Sequence, residues 1–227
     1  MMTNLFSVFD PSSSIDYSLN WVSMLMLSLF IPQLYWVLSS KYIMVWKLIL
    51  MGVVNEIKIS LINFNKLNVL LFMFLFVFIM LNNFVSLFPY IFSSTSHICI
   101  TVSISLMIWV SMMIFGWVNF FNHMLVHLTP QGTPDVLMPF MVMIEFISNI
   151  IRPLTLSVRL SANIIAGHLL ITLMSQSHEI LGGVVFLLVL IQCILMVLEV
   201  AVSFIQSYVY SILSVLYSSE TNYENIA

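Results

Sequence analysis

The chain is a series of apolar runs too long to be anything but membrane helices. Five stand out: Leu19–Leu38, Val69–Tyr90, Ile98–Phe121, Val136–Leu173 and Ile180–Leu216. About 20 apolar residues suffice to cross a hydrocarbon core of about 30 Å. No water is available there to pair backbone N–H and C=O groups, so each run must satisfy itself as a helix. Composition adds one constraint: only 7% of residues are charged, against about a quarter in soluble domains. That leaves too little polar surface to face water. The expectation is an all-α polytopic membrane protein of about five transmembrane helices, with residues 1–227 forming a single membrane domain.

The connections set orientation. Residues 41–66 hold all four lysines, Lys41, Lys47, Lys58 and Lys66, among apolar residues, with Glu56, Ser60 and Asn63 on one helical stripe. Those charges argue for an amphipathic helix in the interface rather than a span. By the positive-inside rule this segment faces the cytoplasm, or the matrix of a mitochondrion. The N-terminal segment 1–18 then lies outside, and five crossings leave the tail 217–227, with Glu220 and Glu224, inside. Residues 1–18 hold Asp10 and Asp16 but no Lys or Arg, unlike a secretory or transit peptide. Synthesis beside its own membrane is the simplest expectation. A net charge of −3 with no basic cluster excludes nucleic acid as a partner. Cys99 and Cys193 lie in apolar runs and read as inert thiols, not a disulfide framework.

The last two runs exceed what a span needs. Val136–Leu173, if continuously helical, is about 57 Å long at 1.5 Å per residue. Fitting it into the hydrocarbon requires a tilt near about 60°, beyond the usual 0–40° or so. Pro153 removes one ladder bond and crowds the Asn149 carbonyl, so it is the natural place for a bend. No Gly/Ser/Asn turn cluster follows Pro153 before Asn163. One long, strongly inclined helix is therefore expected here and again at 180–216, each with protein along one side.

Both long runs carry narrow polar stripes. Glu145, Asn149, Arg152, Arg159 and Asn163 recur at helical offsets on the first, and Gln192, Glu199, Ser203, Gln206 and Tyr210 on the second. Such stripes face a watery path or another protein. Arg152 and Arg159 are the only arginines. A central arginine costs roughly 2.5–3.5 kcal/mol on insertion scales, more than one good hydrogen bond returns.

Plainer alternatives exist for each residue. Arg159 could snorkel to a headgroup, but the Val136–Leu173 run extends more than two turns on either side. Arg152 could simply pair with Glu145 or Glu199. Glu145 and Glu199 could be hydrogen-bonded packing residues instead of a titratable relay. His168 could pack at the interface instead of carrying protons. His123 and His127 stand at i, i+4, but no further ligand is evident, so no metal is expected. Arginine itself is a poor proton carrier; its natural role is a fixed charge that attracts a carboxylate and repels protons.

At this point a family resemblance enters. RLSANIIAGHLL (159–170) is similar to the signature of subunit a of the F-type ATP synthase. LTPQGTPDVLMPFMVMIE (128–145) resembles the approach to that subunit's long helix, and LEVAVSFIQSYVYSILSVLY (198–217) its final helix. NNFVSLFPY (82–90) and the four-lysine segment also match in position and character. The likeness covers most of the chain, fades in the first forty residues, and looks like the mitochondrial, arthropod-type version.

The resemblance implies a non-catalytic stator subunit that forms two proton half-channels against the c-ring in the mitochondrial inner membrane, with peripheral-stalk and small membrane subunits as further partners. Arg159 falls on the arginine essential for transport, facing the carboxylate of each ring subunit. Asn163 lines the same interface, and Gln206 falls beside the arginine. His168 and Glu199 fall on the half-channel from the intermembrane space, and Glu145 on the matrix side. Arg152, Asn149, Ser203 and Tyr210 take supporting roles. No cofactor is implied. A stand-alone channel or transporter would usually show inverted repeats and paired helix breaks, which the sequence lacks. A haem protein would need axial histidines on facing spans, whereas His97, His123, His127, His168 and His178 lie mostly near run ends. A mere scaffold would leave both stripes unexplained. No GxxxxGK[ST] loop is present, so ATP chemistry belongs to another chain.

Overall fold

The structure is a computed structural model that describes residues 5–14, 16–26, 29, 31–32, 38, 40–61, 66–88, 91–129, 134, 137–180 and 185–221. Its elements are α1 (Ser23–Met26), α2 (Lys41–Ser60), α3 (Lys66–Ser86), α4 (Ile98–Asn119), α5 (Phe121–Leu128), α6 (Met138–Ile180) and α7 (Val185–Thr221). Short 3₁₀ turns accompany them, and no strand occurs among the described residues. The protein is an all-α polytopic membrane protein. Among the described residues, four helical stretches are long and apolar enough to cross a bilayer: Asn68–Ser86, Ile98–Asn119, Met138–Ser177 and Val185–Thr221. The span expected at Leu19–Leu38 falls partly outside the described residues. Its described part consists of the turn Leu19–Val22, α1 and isolated positions beyond.

Helix α6 runs unbroken through Pro153 for 43 residues, about 64 Å. Helix α7 follows for 37 residues. Each is about twice the hydrocarbon thickness, so both must lie steeply inclined. Helix α7 packs against α3, α4 and α6, and α6 packs also against α4. Helix α2, opened by the Ser40 side chain accepting from the Ile43 amide at 3.4 Å, docks on α3 and α7. Its buried Val53 and Ile57 join Leu61, Phe72, Phe76 and Val215 in one apolar cluster.

The seam between these helices is built from small residues. Ser207, Ser211, Ser214 and Ser218 of α7 are fully or almost fully buried, as are Ser157 and Ser161 of α6. Each hydroxyl donates to the carbonyl three residues earlier on its own helix, at 2.6–3.2 Å. The serines therefore carry no unmet polarity into the seam and act as small surfaces over which backbones approach. Lipid gives helices no hydrophobic reason to associate, so close packing of small residues takes that role. Large apolar side chains such as Phe140, Phe186 and Val197 point outward instead.

The turn SSTSH between the second and third runs is not an exposed linker. Ser93, Ser94, Thr95 and Ser96 are all buried, and the 3₁₀ turn Ser94–Ser96 rests on α6, α3 and α4. The N-terminal segment folds over it: His97 Nε2 lies 3.0 Å from the Phe9 carbonyl, and Trp21 and Phe92 flank the His97 ring at 5.1 and 5.3 Å.

Candidate functional site

The polar groups that the serine pattern leaves over mark the site. Among the described residues, Glu199 Oε1, Gln206 Nε2 and His168 Nε2 are buried without a hydrogen-bond partner. All three belong to the walls of one cavity of about 200 Å³ between α3, α6 and α7. Helix α6 contributes Asn163, Gly167 and His168, and α7 contributes Glu199, Ser203 and Gln206. Asn163 Nδ2 donates to Gln206 Oε1 at 3.0 Å, tying the two long helices together across the mouth. Ser203 donates to the Val200 carbonyl at 2.7 Å. Glu199 is 9% exposed and Gln206 6%. His168 contacts the Ser86 backbone, and the Phe9 ring stands edge-on to it at 6.0 Å. The N-terminal segment thus reaches the cavity at His168.

A second cavity of about 200 Å³ lies at the other end of the helix pair, walled in part by Asn149, Arg152, His127, Tyr217 and Glu220. Arg152 organises it. Its guanidinium donates to Glu220 Oε2 at 2.7 Å and lies 3.8 Å from Glu145 Oε1. The same group covers the Tyr217 ring at 5.4 Å, a favourable cation–π distance. The alternative pairing of Arg152 with Glu199 is therefore excluded: Glu199 belongs to the first cavity, and Glu220, read from sequence as part of a tail, takes its place. Tyr210 is set apart from both cavities. It shares the α7 stripe, but its ring packs with Ile79, Leu156 and Leu160 beside Pro153, at a pocket of only about 20 Å³.

Arg159 belongs to neither cavity. It stands at the midpoint of α6, one turn before Asn163, with its side chain exposed on the outward face. The opposite face buries Leu156, Ser157, Leu160 and Ser161. Both ion pairs among the described residues use Arg152. His123 and His127 approach to 6.0 Å between ring centroids, yet no three metal-binding side chains converge among the described residues.

Sequence reasoning passed over three contributors. Asn83 lines the first cavity but entered from the sequence only as part of NNFVSLFPY. Gly167 lines it as well, inside a motif quoted for its arginine. Phe9 lies in a segment with no periodic signal at all.

Comparison with known proteins adds a family. Residues 17–219 match the family model described as "ATP synthase A chain". The chain is 52% identical over 225 residues to ATP synthase subunit a of Drosophila melanogaster, covering 98% of this chain and all of the relative. The subunit of Aedes aegypti is 52% identical over 230 residues with the same coverage. That of Locusta migratoria is 50% identical over 224 residues, covering 97% of this chain and 99% of the relative.

Proposed function

Because this chain belongs to the ATP synthase A chain family, as a multi-pass subunit of the membrane sector, we propose that it forms two proton half-channels against a rotating c-ring, kept apart by Arg159. The observation that carries the proposal is a mid-helix guanidinium turned outward, away from its own chain. A charge at that depth costs several kcal/mol, so it needs a partner that another chain brings to it. A carboxylate on each ring subunit is the matching chemistry.

The two cavities supply the rest. A ring carboxylate travels through lipid only when protonated, since its ionised form is too costly there. Beside Arg159 the ionised form is tolerated, and the proton leaves toward the matrix past Glu145, Asn149 and Arg152. A proton from the intermembrane space enters by His168 and Glu199, with Asn163, Ser203 and Gln206 along the cavity wall, and reprotonates the next carboxylate. Arg159 stays charged throughout and repels protons that would otherwise leak straight across. Each proton crossing 100 mV releases about 2.3 kcal/mol, and several steps combine to drive ATP formation on other subunits. This chain is not catalytic by itself.

The lysine-bearing α2 argues for a matrix-facing surface. On that reading the N-terminus faces the intermembrane space and the C-terminus the matrix of the mitochondrial inner membrane. Exposed apolar faces of α2 and α4 suit lipid, peripheral-stalk and small membrane subunits. The test is Arg159→Ala in the intact complex. Assembly should be normal, while ATP synthesis and hydrolysis-driven pumping fall at least about 100-fold, roughly 2.7 kcal/mol. Synthesis at the native rate would remove the proposal.

A further inference from the structure

Two adjacent asparagines on α3 have opposite surroundings. The Asn82 amide is engaged at both ends: Nδ2 donates to the Phe78 carbonyl at 2.8 Å, and Oδ1 accepts from the Ser94 hydroxyl at 3.0 Å. Asn83 is 1% exposed, yet neither its Nδ2 nor its Oδ1 meets a hydrogen-bond partner among the described residues. The nearby Ser86 hydroxyl does not serve it, being closed on the Asn83 backbone carbonyl at 2.6 Å.

An unbonded amide with two donors and an acceptor oxygen is a poor choice for a buried site if packing were its only task. A leucine would fill similar space without the desolvation. Asn83 instead lines the same cavity as His168, Glu199 and Gln206, each of which also presents an unpartnered polar atom there. Four such groups from three helices converge on about 200 Å³. Buried water requires that kind of lining: two to four polar partners and sufficient room.

We propose that Asn83 is a positioning residue for proton transfer, its amide anchoring the water that connects His168 with Glu199. The amide does not titrate, so it neither takes nor delivers a proton. Carrying a donor and an acceptor on one planar group, it holds a neighbouring water in either orientation. A water chain needs that freedom, because every molecule must turn round after a proton has passed. This inference rests on the reading of the cavity as the intermembrane-space half-channel.

The test compares Asn83→Val with Asn83→Thr in the intact complex. The two side chains are nearly isosteric and differ by a hydroxyl. Glu199→Gln is measured beside them as a probe of the half-channel itself. Hydrolysis-driven pumping is followed in H₂O and D₂O, per assembled complex. Asn83→Val should pump at least about tenfold more slowly with an increased solvent isotope effect. Asn83→Thr should stay within about threefold of native, with the native isotope effect. If Val prevents assembly, Asn83→Ala and Asn83→Ser give the same comparison. Equal rates for the apolar and hydroxyl variants, fast or slow, overturn the role of Asn83. With Glu199→Gln slow, that result leaves the half-channel reading standing; native flow through Glu199→Gln removes that reading too.

Discussion

Gly167 stands directly against Glu199: a β-carbon placed on it would lie 3.0 Å from both the carboxyl carbon and Oε1 of that glutamate. Glycine in a helix interior costs about 1 kcal/mol relative to alanine. Here that loss creates the space the carboxyl group occupies. Gly167→Ala should therefore assemble at least as well as native yet pump several-fold more slowly, as the carboxyl shifts by a few tenths of an ångström. Gly167→Val, with two more carbons in the same space, should slow pumping by at least about tenfold. Native rates in the valine variant, measured per assembled complex, would show that the carboxyl position does not matter.

His168 and Glu199 line the same cavity. Replacing His168 with Ala or Glu199 with Gln should slow proton entry from the intermembrane space and move the pH dependence of pumping. The measurement is rate against pH on the outer side at fixed matrix pH. If neither variant changes the rate or the shape of the profile, proton entry lies elsewhere.

The Arg152 pairs at the opposite end call for a smaller effect. Arg152, Glu145 and Glu220 are each about one-third or more exposed, and exposed ion pairs are worth about 0–1 kcal/mol. A double-mutant cycle on Arg152→Gln and Glu220→Gln, read by thermal stability of the assembled complex, should give a coupling below about 1 kcal/mol that weakens with salt. A coupling of several kcal/mol would mean that this pair is far less hydrated than its exposure indicates.

The serine seam yields a contrast within one position. Ser207 and Ser211 are 0% exposed, and their hydroxyls donate to the Phe204 and Tyr208 carbonyls of α7 itself. Ser207→Ala should change stability by less than about 1 kcal/mol. Ser207→Leu must force α7 from its neighbours and cost about 1–3 kcal/mol or more, visible as reduced assembly. Assembly of the leucine variant at native yield would contradict close packing at the seam.

Helical periodicity explains which parts were legible in the sequence. It put Asn163 and His168 on one long helix and Glu199, Ser203 and Gln206 on the other, and run length required both helices to incline. Periodicity cannot tell which polar groups are satisfied. Ser203 and Gln206 look alike on a helical wheel, yet Ser203 bonds its own backbone, whereas Gln206 reaches across to Asn163 and leaves its Nε2 open. Nor does it reveal which distant segments meet. Glu220 reaches Arg152 only because α7 runs back along α6, and Phe9 reaches His168 only because the N-terminal segment folds across the SSTSH turn. Asn82 meets Ser94, and Asn83 meets the cavity, through contacts with distant segments that no local signal foretells.

The most direct test of the central claim is proximity. With the exposed Cys99 and Cys193 replaced by serine, a cysteine is placed at position 159 and another at the ring carboxylate. Mild oxidation should link the two chains, whereas a cysteine at the buried Leu156 should not react with the ring. Failure of position 159 to cross-link to the ring, or its capture instead by a peripheral subunit, would contradict the account.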